Sequence, residues 1–281
     1  MNEIRYTSSG VRLRRRRVLS GPLNRLLLPG GPGLGSESLH ELADVLDVPG
    51  TIWMVDLPGD GSNRSPPGAP ADVFSIWPQA VLEAAHALPD TVFVGHSTGG
   101  MYLLDTPGLA PVLKGLALVD TAPDAAWQSH FIAMTQAFPL PDVDAAAAIY
   151  ERDRRDGTIG AVAVAAAPWN FTPAGVEAGR RLLERMPYNS AAVDWSDKNF
   201  DQVYQARWWP ETIPVLRIAG DQDRIVWQGG WDAPRFQTAN VITRSIAGAG
   251  HFPWIENPQA VREAFVELAE RIVSSPSELL F

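Results

Sequence analysis

The stretch Thr91-Val92-Phe93-Val94-Gly95-His96-Ser97-Thr98-Gly99-Gly100-Met101 decides the fold. Its first half is a short apolar run of the kind buried on both faces of a parallel sheet, and its second half opens a helix. Between them lies a G-x-S-x-G, whose glycines permit the tight strand-to-helix bend that lifts a serine hydroxyl clear of the backbone. The spacing alone would also suit an ordinary turn serine. The strand before it and the helix after it favour a nucleophile elbow.

Working outward, similar apolar runs recur at 25–28, 51–55, 116–119, 215–219 and 241–246, separated by helix-like segments at 37–46, 73–88, 99–104 and 258–273. In the last helix Val261, Ala264, Phe265, Leu268 and Ile272 share one stripe. Such alternation implies right-handed βαβ units and an α/β fold. Residues 4–6 and 11–18, around Ser8-Ser9-Gly10, suggest an antiparallel hairpin at the sheet edge, bringing the expected sheet to eight mostly parallel strands. The alternation stops after Asp120 and resumes at Ile213, with alanine-rich stretches between. The expected division is therefore a core of residues 1–123 and 210–281 and a mostly helical insertion at 124–209.

A serine hydroxyl attacks only when a base removes its proton, so the histidines matter. There are five: His40, His86, His96, His130 and His251. His40 and His86 fall in predicted helices, and His130 lies in the insertion, where it could at most touch substrate. His96, on an extended strand end beside Ser97, reads as a packed core histidine. His251 follows the Ala247-Gly248-Ala249-Gly250 loop after the last strand, at the sheet end where ligands bind in open α/β folds. It is the expected general base.

The acid that orients the imidazole has three candidates. The strand ending at Gly220 leads into Asp221-Gln222-Asp223, and Asp120 ends the neighbouring strand. Asp223 is the first choice. Asp221, directly after the glycine, suits a turn that caps backbone amides, and Asp120 could reach the histidine from next door. The order Ser97, Asp223, His251 is the one expected for this fold.

Oxyanion stabilisation needs preorganised amides. The loop Pro29-Gly30-Gly31-Pro32-Gly33-Leu34-Gly35 follows a strand and opens a helix for which Ser36 is the expected cap. Gly31 is the first donor expected, and Thr98, after the nucleophile, the second. The loop lacks the Gly-Lys-Ser/Thr ending of a phosphate cradle, and no dinucleotide fingerprint accompanies it.

Composition narrows the partners. The 281 residues carry 23 basic and 32 acidic side chains, a net charge of −9, which disfavours nucleic acid and suits a small ester, amide or short peptide. The absence of cysteine excludes disulfides and thiolate metal sites, and no metal or cofactor is expected. Arg12 and Arg14 to Arg17 form the one charge run, read as a solvated basic ribbon or, alternatively, a contact for an acidic partner. Pro22 and Arg25 break the apolar part behind it, so no export signal is expected. No run of some 18 apolar residues suggests a membrane span, and the cytoplasm is the expected compartment. Oligomeric state is not legible.

Together these segments resemble the α/β-hydrolase superfamily over nearly the whole chain: Gly30-Gly31-Pro32-Gly33, Asp56-Leu-Pro-Gly59-Asp60-Gly61-Ser62, Gly95-His-Ser-Thr-Gly99, Gly220-Asp-Gln-Asp223, and Gly250-His251-Phe-Pro-Trp-Ile-Glu-Asn-Pro258. The glycine loop is similar to that of the proline iminopeptidase branch, with Pro29 where the branch has histidine. The elbow, Gly-His-Ser-Thr-Gly instead of Gly-Gly-Ser-Trp-Gly, is similar to those of esterases and carbon–carbon bond hydrolases. The resemblance implies that the insertion is a cap over the site. Trp127, Phe131, Trp169, Trp195, Tyr204, Trp208 and Trp209 could then shape an apolar pocket or simply pack the cap on the core. Glu177, Glu184, Asp194, Asp197 and Asp201 could bind the amine that an aminopeptidase substrate carries. Three readings follow: a serine esterase or amidase, an iminopeptidase-type enzyme, and a non-catalytic small-ligand receptor on the same fold.

Overall fold

The computed structural model describes residues 3–274; residues 1–2 and 275–281, which the expected core boundaries include, lie outside the described residues. Eight strands form one sheet: β1 (Ile4–Tyr6), β2 (Arg12–Val18), β3 (Asn24–Leu28), β4 (Thr51–Asp56), β5 (Thr91–His96), β6 (Leu113–Val119), β7 (Val215–Gly220) and β8 (Val241–Ile246). They lie in the order β1-β2-β4-β3-β5-β6-β7-β8. β1 and β2 pair antiparallel, as does β2 with β4, and every later pairing is parallel. β5 is buried at every position, as its unbroken apolar run requires.

Helices cover both faces. On one side α2 (Trp77–His86) and α3 (Thr98–Leu104) bury Trp77, Val81, Met101 and Leu103 against Leu26, Phe93 and Leu116. On the other, α1 (His40–Val45) and α11 (Pro258–Ser274) bury Leu42, Val261, Phe265 and Leu268 against Leu27, Val94, Val119 and Ile218. The predicted stripe of α11 is buried except at Ile272, which only packs against the cluster's margin.

Three local expectations are corrected. The helix expected from residue 73 starts at Trp77, because Pro78 fits only a first turn, where its missing N–H has no partner to lose. Ser36 does not cap with its side chain: its hydroxyl accepts from Arg14 Nη2 at 2.8 Å and its amide donates to Asp56 Oδ1 at 2.8 Å. The hairpin expected at the sheet edge is there, with β1 outermost and β2 between β1 and β4, but the arginines of β2, expected to form a solvated basic ribbon, meet acids. Arg12 and Arg14 converge on buried Asp56 and on Glu37, Arg15 meets Glu3, Arg16 Asp44, and Arg17 Asp47. The basic ribbon is thus neutralised within the chain.

Between β6 and β7 run six helices: α4 (Trp127–Ala137), α5 (Pro141–Arg152), α6 (Asp156–Ala165), α7 (Ala167–Asn170), α8 (Val176–Leu183) and α9 (Ser190–Asn199). The chain leaves and returns through one neck, where Asp124 bridges Gln205 and the Ala206 amide donates to Pro123 O at 2.7 Å. The parallel register, with Leu28 beside Gly95, His96 beside Val119 and Gly220 beside Ile246, brings the loops after β3, β5, β6, β7 and β8 to one end of the sheet. α10 (Pro253–Glu256) completes that end.

Candidate active site

Ser97 sits between β5 and α3 with φ 52° and ψ −127°, a conformation that L-residues rarely adopt, as an elbow requires. The bend closes so tightly that a Cβ on Gly95 would lie 2.5 Å from Gly100 Cα, so only glycine fits there. The Ser97 amide donates to Val119 O at 2.9 Å, which fixes the bend to the end of β6. Gly30 presses on the serine from the first loop: a Cβ there would be 2.5 Å from Ser97 Cβ. Farther along, the Gly33 amide donates to Asp60 Oδ1 at 2.8 Å and is already engaged. Thr98 is the first residue of α3, where a helix leaves its N–H groups without internal partners.

His251 is held from three directions. Its Nδ1 donates to Asp223 Oδ2 at 3.1 Å, which leaves the Nε2 lone pair as the basic position. Its backbone amide donates to Asn170 O at 2.7 Å, and its carbonyl accepts from His96 Nε2 at 2.9 Å. Because a carbonyl only accepts, His96 must carry its proton on Nε2. Burial, and next the charge His251 can carry, push the His96 pKa well below its usual value, so that ring is neutral. His96 is the buried histidine expected, yet its ring also lies 4.8 Å from those of His251 and Trp254, tilted to the first and edge-on to the second, and ties the serine's strand to the histidine's loop. Ser97 and His251 are therefore joined through one intervening residue, and both are nearly closed to solvent, at 8% and 4% exposure.

The three acid candidates separate by contacts. Asp223 turns one oxygen to His251 and the other to the amides of Ile225 and Val226 at 2.8 and 3.3 Å. Asp221 accepts from the amides of Gly248 and Ala249, bracing the histidine loop from outside. Asp120 is fully buried, with φ 46°, and accepts from the Gly220 amide at 2.9 Å through Oδ1. Its Oδ2 is buried without a partner among the described residues. Burial, then the negative charge of Asp223, hold the Asp120 carboxyl well above the usual carboxylate range, which favours its protonated form.

Asp120, Asp223 and His251 offer ligand atoms within 4.8 Å of one another, a spacing that could hold a cation. The donor set argues for a proton in that place. Asp223 already accepts three N–H groups and Asp120 Oδ1 one, and burial favours the protonated form of Asp120, so few lone pairs are left for a metal ion. Asp60 is a second buried acid nearby, raised to about 7 first by burial and then by Asp56. Asp60 and Glu256 both stand in motifs legible in the sequence, but the burial of the first and the distant partners of the second are not.

The aromatic candidates divide. Trp127, Phe131 and Trp169 form a row in the insertion, with ring centroids 6.2 and 5.8 Å apart, and the buried Trp127 indole N–H has no partner among the described residues. Trp195 packs on Phe74 and Trp77. Tyr204 donates to Ala122 O, Trp208 to Leu103 O and Trp209 to Thr238 Oγ1, so these three fasten the returning chain to the core. His130 stacks on Trp227 at 3.8 Å. Of the acids in the insertion, Glu177 pairs with Arg181 and Asp194 with Arg154, while Asp201 accepts from Ser196 and is raised by burial to about 6. An open cavity of about 780 Å³ lies elsewhere on the insertion, lined by Arg64, Val164, Arg180, Met186 and Tyr188. No triad candidate lines it, so this hollow is set apart from the chemistry.

A model of the alpha/beta hydrolase family matches residues 26–264. The pimeloyl-[acyl-carrier protein] methyl ester esterase of Xanthomonas oryzae is 26% identical over 245 residues, covering 80% of this chain and 85% of that protein. The enzyme of the same description from Xylella fastidiosa is 25% identical over 269 residues, covering 85% and 92%. Among solved structures, the proline iminopeptidase-related protein of Thermus thermophilus superposes with a TM-score of 0.73 at 21% identity, over 98% of this chain and all of that one. The proline iminopeptidase of Mycobacterium smegmatis gives 0.65 at 22% identity, over 96% and 98%. At those identities the structural likeness speaks for the fold.

Proposed function

Because this chain belongs to the alpha/beta hydrolase family, we propose that it cleaves small carboxylic esters through a Ser97–His251–Asp223 triad and an acyl-enzyme intermediate. The observation that carries the reading is the 3.1 Å Nδ1–Asp223 contact, which leaves the other imidazole nitrogen free to act as base, together with the strained elbow that holds Ser97 at the same end of the sheet. Ser97 Oγ attacks the carbonyl carbon as its proton passes to His251 Nε2, and the carbonyl electrons move onto oxygen. The amides of Gly31 and Thr98 hold that oxyanion; Gly31 follows the glycine pressed on Ser97, while the amide of Gly33 is engaged by Asp60. His251 then returns the proton to the departing alkoxide. Water, deprotonated by the same nitrogen, releases the acid and restores Ser97.

The ester preference is supported by relatives named as methyl ester esterases over at least four fifths of the chain. An aminopeptidase would need free carboxylates for the substrate ammonium, and two of the candidates in the insertion are already paired with arginine. The helical insertion serves as a cap, and the near-closure of Ser97 requires it to shift for substrate to enter.

A fluorophosphonate probe should label the wild type and not Ser97→Ala; label retained by that variant would refute the assignment. p-Nitrophenyl esters should be turned over faster than proline p-nitroanilide, and the reverse would move the chain to the peptidase reading. Tight binding without cleavage across both panels would favour a receptor.

A further inference from the structure

Glu256 closes α10, five residues after His251, and its carboxylate joins two parts of the chain. Oε2 accepts from the Gly250 amide at 2.7 Å, the residue before the histidine. Oε1 accepts from the Thr172 amide at 2.8 Å and the Thr172 hydroxyl at 2.6 Å, both in the insertion between α7 and α8. Two glycines make room for this junction. A Cβ on Gly175 would lie 2.1 Å from Glu256 Oε1, and one on Gly250 would lie 2.4 Å from Asn170 O. Asn170 O is also the acceptor for the His251 amide, so the insertion touches the histidine's backbone directly as well as through Glu256.

A carboxyl group taking three donors at 2.6–2.8 Å has little freedom of direction. The imidazole is aimed by Asp223, but its backbone is carried by a loop that includes Gly248 and Gly250, which resists displacement poorly by itself. The segment Asn170 to Thr172, bound through Glu256, supplies that resistance. Resting on the assignment of Ser97 and His251 as nucleophile and base, we propose that Glu256 is a positioning residue that makes correct placement of His251 depend on the insertion being seated on the core. A shift of the insertion then loosens the base, and reseating it over bound substrate restores the alignment. Displacement of a catalytic group by about 1 Å costs on the order of 100-fold in rate, so a modest loosening is enough to be felt.

The test compares Glu256→Gln, Thr172→Val and Thr172→Ser with the wild type. Glutamine keeps the shape but turns an N–H₂ toward one of the donors; valine removes one donor, and serine keeps it. Glu256→Gln should lower kcat for p-nitrophenyl acetate about 10- to 100-fold with KM within about twofold, and fluorophosphonate labelling should slow in parallel. Hydrogen exchange should quicken in peptides spanning 168–175 and 248–253. Thr172→Val should show a smaller version of both effects and add little in the Glu256→Gln background, while Thr172→Ser stays close to wild type. Unchanged exchange in both segments, or a rate loss that merely follows thermal unfolding, would overturn the proposal; should Glu256→Gln fail to fold, Thr172→Val decides. If the wild type takes no label, the catalytic reading falls, and exchange alone decides whether Glu256 couples insertion and loop.

Discussion

The arginines of β2 and the acids behind His251 are both crowded charges, and they are resolved in opposite ways. On β2 each arginine has found a carboxylate at the surface or just beneath it. Opposite charges in contact with water leave little free energy to use, and a surface pair contributes about 0–1 kcal/mol. Behind His251, two carboxyls and an imidazole share a largely buried site, and the like charge of Asp223, with burial, favours the protonated form of Asp120. Crowding that water and counter-charges can satisfy makes structure; crowding that they cannot reach makes a group with altered chemistry.

The largest effect that would break this contrast lies at the acid. Asp223→Asn should lower kcat about 10⁴-fold with little change in KM, because the amide favours the wrong imidazole tautomer. Ester hydrolysis within tenfold of wild type would transfer the role to another group. Asp120→Asn, by contrast, puts a neutral isostere where burial favours the protonated acid and should keep kcat within about threefold, with an unaltered acid limb in the rate–pH profile. A loss as large as that of Asp223→Asn would mean that Asp120 works ionised.

The ribbon is not uniform, and stability measurements can grade it. Arg12 and Arg14 share the fully buried Asp56, so changing both to alanine should strand that charge and cost about 3–5 kcal/mol by urea titration. Asp60 sharpens the other side. Its pKa is raised to about 7, so the folded state holds a proton that the unfolded chain releases near 4. The stability it contributes is complete below pH 4 and declines as pH rises through 7, at up to ~1.4 kcal/mol per pH unit. Asp60→Asn should therefore flatten the fall in melting temperature between pH 4 and 7, and an unchanged slope would locate the titration elsewhere. Arg16→Ala, which breaks an exposed pair with Asp44, should cost less than 1 kcal/mol. A cost near that of the Arg12/Arg14 change would erase the distinction between the two halves of the ribbon.

What could be read in advance follows the range of the interaction. β5 and Ser97 were legible because apolar runs and glycine spacing are local causes, acting over a few residues. Loops after β7 and β8 were legible because strand ends in a parallel sheet collect on one side. His96 was identified as buried, but its bond to the His251 carbonyl, 155 residues away, was not. The arginine run advertised a basic face because Asp44, Asp47 and Asp56 are 28 to 44 residues distant from their partners. Trp208 and Trp209 offered aromatic surface without saying whether it faces a ligand or the core.

No helix among the described residues is long and apolar enough to cross a membrane. By itself the sequence determined the strands, the bend at Ser97 and the chemical types standing at the sheet's end. Tertiary structure alone decided which of three aspartates meets His251, which carboxyl is buried beside it, and that Glu256 joins the insertion to the histidine loop. The reason is that periodicity and backbone preference are written locally, whereas protonation and hydrogen-bond partnership depend on which distant groups share a volume without water.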